Sequence, residues 1–254
     1  MFSSDVAYNF AGRRFIVTGA SSGMGRQVAK DLAGAGGIVL AVARRESRLA
    51  ELSQEYGTNI VAGIADVCDY NEVDRVINNF VAEHGKINGA VHAAGIFEST
   101  PLRTYDEEKA RRVMDVSFWA GIHLMKVINT KRMSEHGCSS VLFSSVSAYI
   151  GEKSLFAYSA SKAAMQIATR TVAKEIYPTG NRINTISPGW VDTEMTKKEL
   201  NTTAVSPKIL DRHLLGIGNV EDISPLVLFL LSRASRWVTG VDFPVDGGYL
   251  GGGV

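Results

Sequence analysis

Short apolar runs of strand length alternate along the chain with longer stretches whose apolar residues recur at helical spacing. Residues 14–18, 38–43 and 60–64 read as strands, and Val28, Ala29, Leu32 and Ala33 mark one face of a helix over 25–35. The series continues with strands at 89–92, 140–144, 182–186 and 241–245, and with helices over 71–83, 107–129, 156–176 and 221–231. Strands that each hand over to a helix need crossovers, which give a parallel sheet covered on both faces. No Pro-rich or Ser-rich linker interrupts the alternation and no period repeats. The pattern therefore predicts one doubly wound, Rossmann-type α/β domain over residues 1–254, with a seven-stranded parallel sheet. The exception is 193–219, a polar stretch carrying Pro207 and Gly216-Ile217-Gly218. It leaves from a strand's carboxyl end, where ligands settle in such sheets, and is expected to be a movable substrate lid.

The first strand runs into Thr18-Gly19-Ala20-Ser21-Ser22-Gly23-Met24-Gly25, which opens the first helix. Glycines between a strand and a helix allow a tight turn in which backbone N–H groups and the helix N-terminus meet a pyrophosphate. Gly19, Ser21, Ser22, Gly23, Met24 and Gly25 are thus candidates for a dinucleotide site. The second strand ends at Ala43 and is followed by Arg44 and Arg45 instead of the carboxylate that NAD-preferring sites offer the ribose hydroxyls. A guanidinium suits the 2′-phosphate of NADP, so NADP(H) is expected over NAD(H), with Arg44 the stronger candidate and Arg45 the second.

Tyr158 and Lys162 stand one helical turn apart, on one helix face, and Ser145 ends the preceding strand. A phenol near pKa ~10 is a poor acid or base at neutral pH, and a neighbouring ammonium is expected to lower it. Tyr105 and Lys109 share the spacing, but His92 occupies the position where a partner serine would stand. Only Ser145, Tyr158 and Lys162 combine strand end, spacing and helix face.

With these motifs in place the chain resembles the classical short-chain dehydrogenases/reductases over nearly its whole length. Asp66-Val67, Pro188-Gly189-Trp190-Val191-Asp192-Thr193, Thr239-Gly240 and Val245-Asp246-Gly247-Gly248 also match. The resemblance implies that Asp66 and Val67 flank an adenine, that Lys162 also holds the nicotinamide ribose, and that Val191 and Thr193 contact the carboxamide. It likewise places Ala93, Gly95, Pro188 and Gly189 along the cofactor, makes Ser145, Tyr158 and Lys162 catalytic, and implies a homodimer or homotetramer. Two positions depart from the family pattern. His92-Ala93-Ala94-Gly95 replaces Asn-Asn-Ala-Gly, and Ser117 stands where the family has an active-site Asn that organises a water. His92 reads as structural; Ser117 is a shorter water-positioning group in the proton relay.

Composition narrows the class. A formal charge of +1 over 254 residues, with 45% apolar residues, excludes a strongly basic nucleic-acid binder and fits a globular enzyme. Cys68 and Cys138 read as free thiols of a reducing compartment, and neither a signal peptide nor a membrane-length apolar run is present, which points to the cytoplasm. His84, His92, His123, His136 and His213 show no paired ligand spacing, so no metal is expected; His213 reads as a solvated loop residue. Phe97, Tyr149, Ile150, Phe156 and Trp190 are candidate walls for a small carbonyl or alcohol substrate, while Lys197 and Lys198 read as a solvated lid face. Ile122, Met125, Ile128, Met165 and Ile167 put apolar side chains on more than one face of the long helices, as a subunit contact would. The expected activity is NADP(H)-dependent interconversion of a carbonyl compound and its alcohol. The competing expectation is a cofactor-binding regulatory or scaffold protein with little turnover.

Overall fold

Alternate residues along each strand belong to opposite layers, and that period of two sets the architecture. The computed structural model describes residues 6–197 and 207–251. Within them β1 (Arg14–Thr18), β2 (Ile38–Ala43), β3 (Ile60–Ile64), β4 (Ile87–His92), β5 (Ser134–Phe143), β6 (Arg182–Pro188) and β7 (Asp242–Val245) form one sheet. Every pairing is parallel, in the order β3-β2-β1-β4-β5-β6-β7. The doubly wound α/β domain is thus the observed fold, and its strand order reverses between β1 and β4.

Phe15 and Val17 of β1, with Val39 and Ala41 of β2, pack with Val28 and Leu32 of α1 (Gly23–Gly34) and with Val227 and Leu230 of the helix Val220–Leu231. Ile16, Leu40 and Val42 point the other way. They meet Val73, Ile77 and Phe80 of α3 (Tyr70–His84), Leu124 and Ile128 of α5 (Ala120–Ile128), and Met165 of α7 (Phe156–Ile176). Buried cations close one helix end: Arg182 donates to Leu230 O at 3.0 Å and Ser232 O at 3.1 Å, and Arg13 to Leu231 O at 3.0 Å. These satisfy carbonyls that have no partner inside the helix.

Three features depart from the expected elements. α2 (Glu46–Tyr56) buries only Leu49 and Leu52, too few apolar residues to make its period legible. α6 (Ser147–Ile150) is a single turn after β5. The helix expected over 107–129 is divided into α4 (Glu107–Met114), a π-helical turn at Asp115–Trp119 and α5. Such π turns shift the following helix by one residue and concentrate at functional sites.

Met125, Ile128 and Met165, expected at a subunit contact, are buried in this chain's own core. Ile167 and Trp119 remain exposed. At the base of the 193–219 segment, Asp192 N donates to Gly218 O at 2.8 Å and Gly218 N to Trp190 O at 3.0 Å. A short helix, Pro207–Arg212, follows within it. His213 is buried and accepts a hydrogen bond from Trp190 N at 3.1 Å, which corrects the solvated placement. Lys198 lies outside the described residues. Among those residues no helix is long and apolar enough to cross a membrane.

Phe15 is fully buried, meets the Phe10 ring edge to face, and has the guanidinium of Arg13 over its ring. Phe15→Ala is expected to lower unfolding free energy by about 3–5 kcal/mol. Urea denaturation reads this as a lower midpoint with unchanged slope.

Candidate active site

β1 delivers its last residue, Thr18, beside His92 at the end of β4, so the turns after both strands meet. Gly19 has φ +72°, and a Cβ there would lie 2.7 Å from Ala94 N and 2.8 Å from the Ala93 carbonyl carbon. A Cβ on Gly25 would lie 2.5 Å from Gly19 O. No side chain fits at either position, and their bareness lets α1 begin against the sheet edge. Ser22, the N-cap of α1, makes no side-chain cap bond. The opening N–H groups of α1 are thereby left to an anion.

Gly19, Ser21, Ser22, Gly23, Met24, Gly25, Arg44, Arg45, Asp66, Val67, Ala93, Gly95 and Thr193 all line one cavity of about 340 Å³. Ser145, Tyr158, Pro188, Gly189 and Val191 line a second, of about 70 Å³, and Met24, Thr193 and Met195 border both. The structure brings these sequence-selected residues into one continuous cleft at the topological switch point, the position where open α/β sheets take ligands. The two arginines have different partners. Arg45 donates to Ser21 Oγ at 3.0 Å, to Ser22 Oγ and to Glu194 Oε2 at 3.0 Å, tying the turn to the segment after β6. Arg44 is exposed and pairs with Asp66 at 3.6 Å.

Tyr158 and Lys162 lie in the first two turns of α7, facing the end of β5. The Lys162 ammonium donates to Phe143 O at 2.8 Å and lies 5.6 Å from the centre of the Tyr158 ring. Ser145 Oγ accepts from Ser147 N at 3.2 Å, which leaves its own O–H free to donate. Burial pushes the Tyr158 phenol up to about 12; a hydrogen bond with Ser145 opposes this and the charge of Glu152 adds to it. Burial brings Lys162 down to about 8. Desolvation dominates, so in this structure the phenol stands above its ordinary value and not below it as expected from its cationic neighbour. The other Tyr–Lys pair is a surface feature: Tyr105 is exposed and Lys109 faces Asp106 at 4.0 Å.

Ser117 occupies the π turn, fully buried, and its Oγ has no hydrogen-bond partner. A Cβ on Gly95 would lie 3.4 Å from Lys162 Nζ and 3.6 Å from Ser117 Oγ, so both groups border the same bare α-carbon. His92 supports the floor of this region. Its Nε2 lies 3.2 Å from Val116 O and its Nδ1 2.9 Å from Thr18 Oγ1. A carbonyl only accepts, so Nε2 carries the proton and Nδ1 accepts from Thr18. The ring thereby ties β1, β4 and the π turn together.

Of the expected walls, Phe97 and Trp190 line the substrate cavity, their rings 6.3 Å apart and edge to face. Tyr149, Ile150 and Phe156 do not: Tyr149 turns to the Asp242 carboxylate, and Phe156 packs on Tyr105. Tyr149 and Ile150 end α6, Phe156 opens α7, and all three are exposed. Sequence reasoning missed Glu152, Met195 and Thr196, which do line the cavity.

The profile of the family described as enoyl-(acyl carrier protein) reductase matches residues 19–250. The L-xylulose reductase of Caenorhabditis elegans is 30% identical over 95% of this chain and 97% of its own length. Carbonyl reductase (NADPH) 2 of Sus scrofa is 31% identical over 95% of this chain and 98% of its own. A crystal structure described as a short-chain dehydrogenase/reductase, glucose/ribitol dehydrogenase, from Brucella melitensis superposes with a TM-score of 0.90 at 26% identity, covering 96% of this chain and 99% of that one. The chain belongs to the classical short-chain dehydrogenases/reductases, a family of oxidoreductases that use nicotinamide dinucleotides.

Burial holds the His92 imidazole down to about 3, from 6.5 when unperturbed, so the folded protein keeps it neutral where the unfolded chain takes up a proton. Between those values the unfolded state binds more protons, and stability rises with pH. One such proton contributes a slope of about 1.4 kcal/mol per pH unit, which levels off above the unperturbed value. Urea unfolding across that interval is expected to show this extra slope in the wild type and not in His92→Asn; equal slopes would refute it.

Proposed function

We propose that the protein is an NADP(H)-dependent oxidoreductase that interconverts a small carbonyl compound and its alcohol, with Tyr158 as acid and base. The observation that carries this is the convergence of Tyr158 and Ser145 on a cavity that shares Met24, Thr193 and Met195 with the glycine-lined cleft, with the buried Lys162 ammonium behind them, 5.6 Å from the centre of the Tyr158 ring. The cleft suits a dinucleotide, because Gly19 and Gly25 are positions that a Cβ would fill and α1 opens onto it. When bound, the nicotinamide supplies or accepts the hydride.

The chain's own groups handle the proton. A phenol held protonated by burial is a stored acid, suited to reducing a carbonyl. Ser145, its oxygen engaged by Ser147 N, directs its hydroxyl proton to the substrate oxygen, and Tyr158 donates the proton that completes the alcohol. In oxidation the same phenol takes that proton back. Lys162, anchored on Phe143 O, supports the charge that develops on Tyr158. Ser117 opens a route past Gly95 along which water returns the proton to Lys162.

NADP(H) follows from the end of β2. Arg45 is engaged by the turn serines and Glu194, whereas Arg44 has a long, exposed pair with Asp66 and is the guanidinium that turns to a 2′-phosphate. The name of the pig relative specifies NADPH, which favours the same choice. A reducing cytoplasm and the assembly of like subunits fit this reading.

Tyr158→Phe is expected to lower NADPH oxidation with a carbonyl panel by about a hundred-fold or more while cofactor affinity is retained. An unchanged rate would remove the assigned acid. A wild type that binds NADPH but reduces nothing in a broad panel would favour the regulatory or scaffold reading. Fluorescence titration of Arg44→Ala is expected to show NADPH affinity reduced by about ten-fold or more, with NADH nearly unaffected. Equal affinities, insensitive to the change, would argue against the 2′-phosphate contact.

A further inference from the structure

Glu152 supplies the only carboxylate among the described residues lining the cavity at Tyr158. It sits on the loop between α6 and α7, where Leu155 N bonds back to its carbonyl at 3.1 Å and fixes the turn. Its Oε1 is buried and has no hydrogen-bond partner, and no ion pair engages its carboxylate among the described residues. The Ser147 hydroxyl and the Trp190 indole favour its charged form, yet burial outweighs both and raises its pKa. Its charge reaches the reacting end of the cavity, since it pushes the Tyr158 phenol upward.

A fold gains nothing from such a group. An unpartnered buried carboxylate oxygen costs stability, and a negative charge beside Tyr158 opposes formation of the phenolate. The mechanism above does not use it. What Oε1 lacks is a donor, and the substrate is the molecule that enters this cavity. Phe97 and Trp190 supply apolar faces for the carbon skeleton, with Phe97 5.2 Å from the Tyr158 ring.

We propose that Glu152 is a substrate-recognition residue whose Oε1 accepts a hydrogen bond from a hydroxyl or ammonium group on the carbon neighbouring the reacting one. The inference rests on the carbonyl–alcohol reading and narrows its substrate class. The protein selects carbonyl compounds with a vicinal donor, and their alcohols, over unsubstituted ones. A site built to bond a polar group discriminates against the analogue lacking it, because the buried acceptor is then left unpaired.

The test uses the full chain loaded with NADP+ and three alcohols of one ring size: cyclohexanol, its vicinal diol and its vicinal amino alcohol. Calorimetry reads binding and steady-state oxidation reads turnover. The wild type is expected to bind the diol, the amino alcohol or both about ten-fold or more tightly than cyclohexanol. Glu152→Leu loses the preference. Glu152→Gln keeps a carbonyl acceptor without charge, so it retains a preference that comes from hydroxyl and loses one that comes from ammonium; thermal melting checks that each variant is folded. Equal affinities in the wild type, an equal change for all three compounds in Glu152→Leu, or no measurable binding of any overturns the proposal. Binding preference without oxidation would instead remove the proposed activity and leave the recognition role standing, whereas oxidation without preference would do the reverse.

Discussion

The meeting of two turns at the carboxyl ends of β1 and β4 is the constraint on which the site depends. Gly19 lies so close to Ala93 and Ala94 that a methyl group would collide with main chain, and Gly25 is as close to Gly19. Backbone cannot yield as a flexible side chain does, so these contacts fix where α1 begins relative to the sheet. That in turn fixes where its opening N–H groups point. His92 adds a second clamp one residue earlier, bridging Thr18 and Val116, so that the phosphate end and the π turn share one support. A disturbance at either strand end would reach both halves of the cleft.

Burial is the second organising influence, and it acts on every ionisable group near the chemistry in the same sense. It disfavours charge, raising Tyr158 and Glu152 and lowering Lys162 and His92. For His92 the result is a fixed neutral tautomer, useful as a strut. For Tyr158 it is a retained proton. For Lys162, whose ammonium keeps a bond to Phe143 O, it is a cation poised near the neutral range. The same physics makes Glu152 informative, since Ser147 and Trp190 offset its burial only in part and its Oε1 is left without a partner.

The sheet and its crossovers were legible in sequence because the inner strands β1, β2, β4 and β6 are buried on both faces and therefore read as short continuous apolar runs. The residues 156–176 even emerged with the observed bounds of α7, since its apolar period is long and its flanks are polar. α2 escaped because two buried leucines do not make a period. The π turn escaped because it keeps helical spacing on either side and inserts only one extra residue. At the candidate site, the glycine turn and Ser145, Tyr158 and Lys162 stood out in sequence because the roles proposed for them demand particular backbone positions and residue types. The substrate walls were not. Tyr149, Ile150 and Phe156 are apolar or aromatic residues near the right strand end, but whether they face the cavity or solvent depends on the single turn of α6 and on where α7 begins, which no periodicity announces.

Glu152 was missed for a related reason. A charged residue in a loop is ordinarily solvated, and only its burial distinguishes this one. His213 shows the same inversion: a polar loop context suggested solvent, yet the segment folds back so that its imidazole accepts from the Trp190 N–H and stacks near Tyr249. Both residues touch or flank Trp190, the residue through which the chain leaving β6 turns over the cavity. The backbone at Trp190 is also held by Gly218, whose N–H bonds its carbonyl. The cofactor end of the cleft is thus set by main chain at the strand ends, whereas the substrate end is assembled from side chains brought together around one tryptophan. A main-chain site leaves its mark in sequence as glycine spacing. A side-chain site assembled from three separate segments leaves none, and its selectivity is read only once the fold has placed those segments against each other.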